Sequence, residues 1–493
     1  MSFRNSIFIV FLSAVILLQN SPLKAQDTED NGAYYTSDEK EYQPKPASFG
    51  KTFIGLSFII IPGTAWYYYD NSNKRDQVKG LTKNYLRERF TSFQWKFDDN
   101  TFETNCPSHP LVGSAYYLAA RSSGFNIWQS SLFSIAGSTF WEYIIEIKEA
   151  VSINDMIQTP IGGIAIGESF FQLAAFYAGN IKSRNFLNDF ISDQVDTTKY
   201  RYTNGTGTNS SIWHNMYGFA GVLYELNDTA GGKFGINAEF FGIRNLKLHG
   251  ASSGFHFNSP YTKIIMSAAF GKKLQEVLLY NEISHIGYSK QRITQSGGYS
   301  AFFSLNTGFV YDNRNFADFH DKVSTIHLLG PVADISLIKD SFIFRLRSNI
   351  FYDFAMLKTI ALRKYFDDGH TRQDLREMGA ATPASEGYYF AQGFTFASLA
   401  TIDIYSFELG GEFSLNCYYS INGDGRTKEE PKYHKNFKMR DTRISSKVFA
   451  QYSTENHVAY RLGAAHSILE GEADKYSRTI KALRTELLCA YQM

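Results

Sequence analysis

From about Ile212 to the C-terminus, apolar and polar side chains alternate over stretches too long for the strands of an ordinary soluble domain. In "TIDIYSFELGGEFSLNCYY", Thr401 to Tyr419, one face would carry Tyr405, Phe407, Leu409, Phe413, Leu415, Cys417 and Tyr419. The other would carry Ser406, Glu408, Gly410, Glu412, Ser414 and Asn416. Successive side chains of a strand point to opposite faces, so such a segment is greasy on one side and wet on the other. Similar segments fall near 212–226, 233–245, 260–271, 275–288, 297–312, 323–338, 341–357, 386–398, 401–420, 440–454, 457–470 and 477–493. Soluble strands usually run about 5–6 residues, whereas a tilted strand crossing a bilayer needs about 9–11. The expected fold is therefore an α+β membrane protein. An antiparallel transmembrane β-barrel of about twelve strands over 212–493 would follow a small helical domain.

Connection lengths support a barrel over a soluble β-sandwich or lipocalin-like barrel. Tight turns are expected at Lys339–Asp340, near Leu399 and at Glu455–Asn456. Between them lie longer polar stretches: "NRNFADFH", about Lys358 to Ser385, and "NGDGRTKEEPKYHKNFKM". Short periplasmic turns and long outer loops alternate in this way in outer-membrane barrels. The last strand ends "RTELLCAYQM", with Tyr491 near the terminus where an aromatic residue is usual. The inward faces would mix Arg345, Arg347, Arg443, Lys447, Arg461 and Arg484 with Asp353, Glu408, Glu412 and Glu486. Such a lumen could conduct, be closed by mutual ion pairs, or hold another segment of the chain.

Composition agrees. Aromatic residues make up 16% of the 493, with 32 Tyr and 42 Phe, yet mean hydropathy is −0.26. Grease and polarity are thus interleaved rather than blocked into membrane helices. The first residues read as a secretory signal peptide over 1–25, with Arg4 before an apolar run from Ile7 to Leu18 and a small residue at Ala25. The formal net charge of +1 gives no reason to propose nucleic acid. Cys106, Cys417 and Cys489 form neither a disulfide framework nor a zinc spacing. Cys106, in "CPSH" ahead of His109, is a candidate nucleophile or a small buried residue before a helix.

The region before the barrel has a helical texture. Residues 26–107 are expected as a periplasmic segment with one apolar helix in "TFIGLSFIIIPGTAWYYYD". Residues 108–185 are expected as packed helices and 186–211 as a linker. Ser108 would cap a helix through Arg121, and Asn126 one from Ile127 to about Ala150. Thr159 and Pro160 would start a third, ending near Gly179. Ser130, Ser134 and Ser138 recur every four residues and lead to Glu142 and Glu146. Gly163 and Gly167 form a small-residue face before Glu168. Buried carboxylates there need partners, and His109 and Arg121 are the natural ones. These helices are expected against or inside the periplasmic end of the barrel.

"WKFDDNTFETNCPSHPLVGSAYYLAARSSGF", followed by "WEYIIE", "SINDMIQTPIGG" and "GE", resembles an uncharacterised family of Gram-negative envelope proteins, domain of unknown function 3943. The resemblance covers about Gln94 to Tyr177, implies an envelope protein, and supplies no catalytic residue. The order of His109, Gly113, Tyr116, Glu142, Glu146, Ser152, Asp155, Gly163 and Gly167 is also similar to VanZ-like helical modules. Thr159–Pro160 stands where those have an Asn-containing turn.

The leading functional expectation is a non-catalytic outer-membrane protein whose helical domain faces the periplasm or plugs the lumen. His109, Arg121, Glu142, Glu146, Asp155 and Glu168 would then form a structural network, with no cofactor and no metal. Its partners would be outer-membrane lipid and the barrel assembly machinery. The alternative is an envelope enzyme acting on a lipid or lipid-linked sugar, in which His109, Glu142 and Asp155 do acid–base chemistry or hold a divalent metal. No nucleophile elbow, HExxH or phosphate loop occurs. A gated solute channel is the third reading.

Overall fold

The computed structural model describes residues 47–70, 81–91, 95–98, 100–180, 213–225, 230–241, 250–257, 261–271, 274–316, 319–377, 381–421 and 437–492. The expected signal peptide and the 186–211 linker lie outside these residues.

Helices come first: α1 (Phe49–Asp70), α2 (Lys83–Thr91), α3 (His109–Arg121), α4 (Ile127–Phe140), α5 (Ile153–Ile157) and α6 (Gly163–Asn180). A short parallel pair, β1 (Trp95–Lys96) with β2 (Val151–Ser152), ties two of their connections together. Asn126 caps α4 as expected, in a reciprocal capping box with Gln129. Ser108 does not cap α3; its hydroxyl donates to the Glu103 carbonyl at 2.8 Å. Helix α4 stops at Phe140, not near Ala150, and widens into a looser turn at Trp141–Ile145. Arg89 supplies the stop by donating to the carbonyls of Glu142, Glu146 and Glu149. Helix α6 likewise starts at Gly163, after a wide turn containing Pro160.

The strands are β3 (Trp213–Glu225), β4 (Gly231–Phe241), β5 (Gly250–His256), β6 (Tyr261–Phe270), β7 (Leu274–Thr294), β8 (Gly297–Phe316), β9 (Phe319–Lys339) and β10 (Phe342–Leu357). After short helices α7 (Ala361–Asp367), α8 (Arg372–Glu377) and α9 (Ala381–Ser385) come β11 (Tyr389–Ile404), β12 (Phe407–Ser420), β13 (Met439–Ser453), β14 (Val458–Ala473) and β15 (Tyr476–Gln492). All their pairings are antiparallel. Strand β15 returns to β3 and β7 pairs with β8, so twelve strands close into a barrel. Strand β5 is the extra piece, lying on β7 beyond the stretch that β6 occupies.

Two expected connections are corrected. The stretch Thr401–Tyr419 is not one strand, because β11 turns at Tyr405–Ser406 into β12. Tyr405 makes this turn at φ 53°, a conformation that a tyrosine rarely announces in sequence. "NRNFADFH" is no long loop: β8 and β9 stay paired to Phe316 and Phe319.

Cross-strand pairing assigns the two faces. Arg345 and Arg347 of β10 reach Asp334 of the neighbouring β9, and also Glu239 of β4 and Glu282 of β7, several strands away. Only an inward face permits such spans. Arg443–Asp321, Arg484–Glu276 and Lys233–Glu276 add to the same inner network. Below the Arg345–Arg347 belt a polar cavity of about 610 Å³ opens among Glu408, Glu412, Lys447 and Arg461. At the opposite mouth, α7–α9 fold inward. Leu362, Tyr365 and Leu375 pack on the inward side chains of Ala355, Leu357, Tyr389 and Met439. A helical stopper therefore exists, and it is the β10–β11 connection.

The N-terminal helices lie elsewhere. On β10, Ile350 and Tyr352 point outward and are 53% and 54% exposed, while Phe354 on the same face is 4% exposed. Phe97 covers it, with ring centroids 6.3 Å apart. Phe354, Ile326, Phe309, Asn281, Ile264, Ala238 and Met216 stand directly opposite one another across seven strands, all buried. Helix α6 and its flanks cover this line. Ala165 and Ile166 cluster with Phe309 and Ile326, and Leu173 with Ile264, Ala238 and Met216. The helices expected against or inside the barrel's periplasmic end thus pack on its outer wall. They do so because a row of outward side chains, interrupted by Asn281, gives α6 an apolar seat, whereas the lumen is charged. At about 4.8 Å per strand the row runs roughly 29 Å. It is perpendicular to strands that in barrels tilt by about 35–45°, so it climbs the wall diagonally by roughly 18 Å.

Candidate functional site

Helices α3 and α6 run side by side because both present glycine. A Cβ on Gly113 would lie 1.7 Å from the Thr159 carbonyl oxygen, and one on Gly163 would lie 2.4 Å from the Gly113 carbonyl carbon. Backbones therefore touch, as in tightly packed membrane helices. One turn on, Glu168 is fully buried. Arg121 Nε donates to it at 2.9 Å, Tyr117 Oη at 2.6 Å and Gln172 Nε2 at 2.7 Å. Arg121 and Glu168 thus pair, and the ion pair ties α3 to α6.

A second cluster forms at the other end of α3. The β1–β2 pair sets Asp98 beside the Ser152–Asp155 turn, where Ser152 caps α5. His109 Nε2 lies 3.4 Å from Asp155 Oδ1, and ligand atoms of Asp98, His109 and Asp155 all fall within 4.8 Å of one another. Asn154 Nδ2 donates to Asp155 Oδ1 at 2.8 Å, Asn105 Nδ2 to Asp98 Oδ1 at 2.7 Å, and Ser152 Oγ to Asp98 Oδ2 at 3.2 Å. Two polar atoms here are buried without a hydrogen-bond partner: His109 Nε2 and Asn105 Oδ1.

Charge in this pocket is unbalanced. Asp98 and Asp155, with Glu142 at the edge, bring three carboxylates to one imidazole. The arrangement can hold one proton between two carboxylates, or one cation among three ligands.

Of the six residues singled out in sequence, the structure brings His109 and Asp155 together and pairs Arg121 with Glu168. Glu142 touches the edge of the cluster, its Oε2 accepting from Ser152 N at 2.8 Å. Glu146 instead accepts from Trp141 Nε1 at 3.1 Å. Asp98 and Asn105 were missed; their only signal was a place inside "WKFDDNTFETNCPSH". Cys106 is fully buried, its Sγ 2.6 Å from Ser324 Oγ, which argues against an exposed nucleophile.

Every residue of this cluster falls within one stretch of chain. Residues 94–196 match the Domain of unknown function DUF3943. The matched segment holds α3–α6 and both buried clusters. No curated protein matches the chain. Among solved structures, the fold is similar to OmpT, an outer membrane protein of Vibrio cholerae, at 6% identity and TM-score 0.15, over 58% of this chain and 99% of that one. It is similar to the translocator domain of autotransporter NalP from Neisseria meningitidis at 11% identity and TM-score 0.19, over 57% and 88%. It is similar to the P. putida toluene transporter TodX at 6% identity and TM-score 0.21, over 59% and 91%. Twelve long antiparallel strands with an apolar outer face around a charged lumen make an outer-membrane type of barrel, and the matched segment is an addition to it.

Proposed function

We propose that this protein is an outer-membrane barrel whose lumen is closed to solute and whose working part is the helical layer on its lipid-facing wall. The observation that carries the reading is the buried outward row from Phe354 to Met216, covered by α6 while the rest of that face stays bare and apolar. Helix α1 supports it. Its 22 residues would span roughly 33 Å, about the thickness of a bilayer core, and Phe53, Ile54, Phe58 and Ile61 are exposed on it. Exposed Leu132, Ile135 and Phe140 continue the apolar surface onto α4. These side chains suit lipid and would be costly in water.

Orientation follows from the turns. The two-residue turns at Asp340–Ser341 and Tyr405–Ser406 share a rim with the start of β3 and the end of β15. In outer-membrane barrels that rim is periplasmic. Asp98, His109 and Asp155 then lie toward the opposite rim, near the ends of β9–β11 that Asn105 and Cys106 contact through Tyr388 and Ser324. That rim faces the headgroups of the outer leaflet. Delivery by the barrel assembly machinery accompanies this fold.

In planar bilayers the purified protein should show no ion-conducting steps. Deleting 361–385 together with Arg345→Ser and Arg347→Ser should open the lumen. Steady conductance by the unaltered chain would remove the closed-scaffold reading in favour of a channel.

A further inference from the structure

We propose that Asp98, His109 and Asp155 form a binding site for one divalent transition-metal cation, Zn2+ or Mn2+. His109 Nε2 and Asp155 Oδ1 are 3.4 Å apart and make no hydrogen bond. Two ligands of a tetrahedral ion at about 2.0–2.1 Å are separated by about 3.3–3.4 Å. Asp98 brings the third donor within the same 4.8 Å span. One imidazole and two carboxylates suit a borderline cation and leave coordination positions open for water or an anionic ligand.

Independent support comes from Asn105. It is fully buried against the site, with its amide nitrogen on Asp98 and on Tyr388 Oη at 3.0 Å, while its Oδ1 has no partner. An orphaned buried oxygen is costly, and a water bound to the ion is a partner that would offset it. Orientation of the ligands is already provided. Asn154 holds Asp155, while Asn105, Ser152 and Asn100 hold Asp98, the last through Nδ2 at 3.1 Å. Outer hydrogen bonds of this kind fix carboxylates for metal binding. The metal site differs from the sequence expectation in using Asp98 where Glu142 was the third ligand, since Glu142 is turned onto Ser152 N. The site does not rest on the lipid role or on the lumen being closed, so its failure leaves those readings standing.

The test uses the full chain in detergent, stripped with EDTA, dialysed against Zn2+ or Mn2+, and assayed for bound metal by mass spectrometry. One equivalent is expected in the wild type, with a raised thermal midpoint. Asp155→Asn and His109→Ala should each lower retention at least tenfold, while Glu146→Gln should retain it. Heat-modifiable migration of the barrel on gels checks that each variant is folded. Wild-type protein that holds no metal overturns the proposal, whatever the variants do. Retention unchanged in folded Asp155→Asn and His109→Ala, as for ions on surface histidines, overturns it as well.

Discussion

Replacing Arg121 by methionine should cost about 3–5 kcal/mol, the usual penalty for stripping the partner from a buried charge. Glu168 has no exposure to water, and Arg121 supplies two of its hydrogen bonds, at 2.9 and 3.3 Å. The guanidinium also lies 4.2 Å from the Phe171 ring centroid, so packing is lost with the charge. The damage should be local. Amides of α3 and α6 should lose hydrogen-exchange protection, while the barrel strands, with their own ladder, keep theirs. Adding Glu168→Gln should recover much of the loss by removing the stranded charge. Unchanged exchange in Arg121→Met would mean that the pair does not hold the layer together.

Gly113→Ala should be nearly as severe through a different mechanism. The new methyl would meet a backbone carbonyl at 1.7 Å, which no side-chain rotation relieves. Overpacking usually costs about 1–3 kcal/mol, and a backbone clash belongs at the top of that range. Helices α3 and α6 must separate, so the wide turn at Thr159 and the site residue His109 should be disturbed together. Gly411→Ala is the control, because the nearest atom to its added Cβ is at 3.9 Å and its effect should stay within about 0.5 kcal/mol. Thermal denaturation in detergent, followed by loss of helical signal, reads both. Equal midpoints for the two variants would contradict the backbone contact.

Much of the barrel was legible because strand alternation has one period and one cause: a wet lumen and a greasy wall. Phe407, Leu409 and Glu408, Glu412 fell on the faces that their polarity implied. The Tyr405–Ser406 turn was not legible, since no glycine, proline or asparagine marks it. The helices posed a deeper degeneracy. Their small-residue stripe at Ser130, Ser134 and Ser138 announces close packing, and all three are buried. Yet an apolar helix face can be written identically for a barrel wall, for lipid or for another helix. Which surface takes it depends on the outward row across seven strands, whose members are scattered from Met216 to Phe354. Only strand pairing assembles that row. The metal-like cluster was half legible for the same reason: His109 and Asp155 sit in recognisable helical context, whereas Asp98 reaches them through the β1–β2 pairing.

Under the proposed function the helical layer stands in lipid beside the barrel. Nitroxide labels at Phe58 of α1 and Leu132 of α4, 77% and 65% exposed, test it directly in proteoliposomes. Accessibility to oxygen should exceed accessibility to a water-soluble nickel complex at both positions, matching a label at Leu462 on the bare wall and opposite to one at Glu412 in the lumen. Labels at Phe58 and Leu132 that prefer the nickel complex, as Glu412 should, would place the helices in water and overturn the lipid-facing layer.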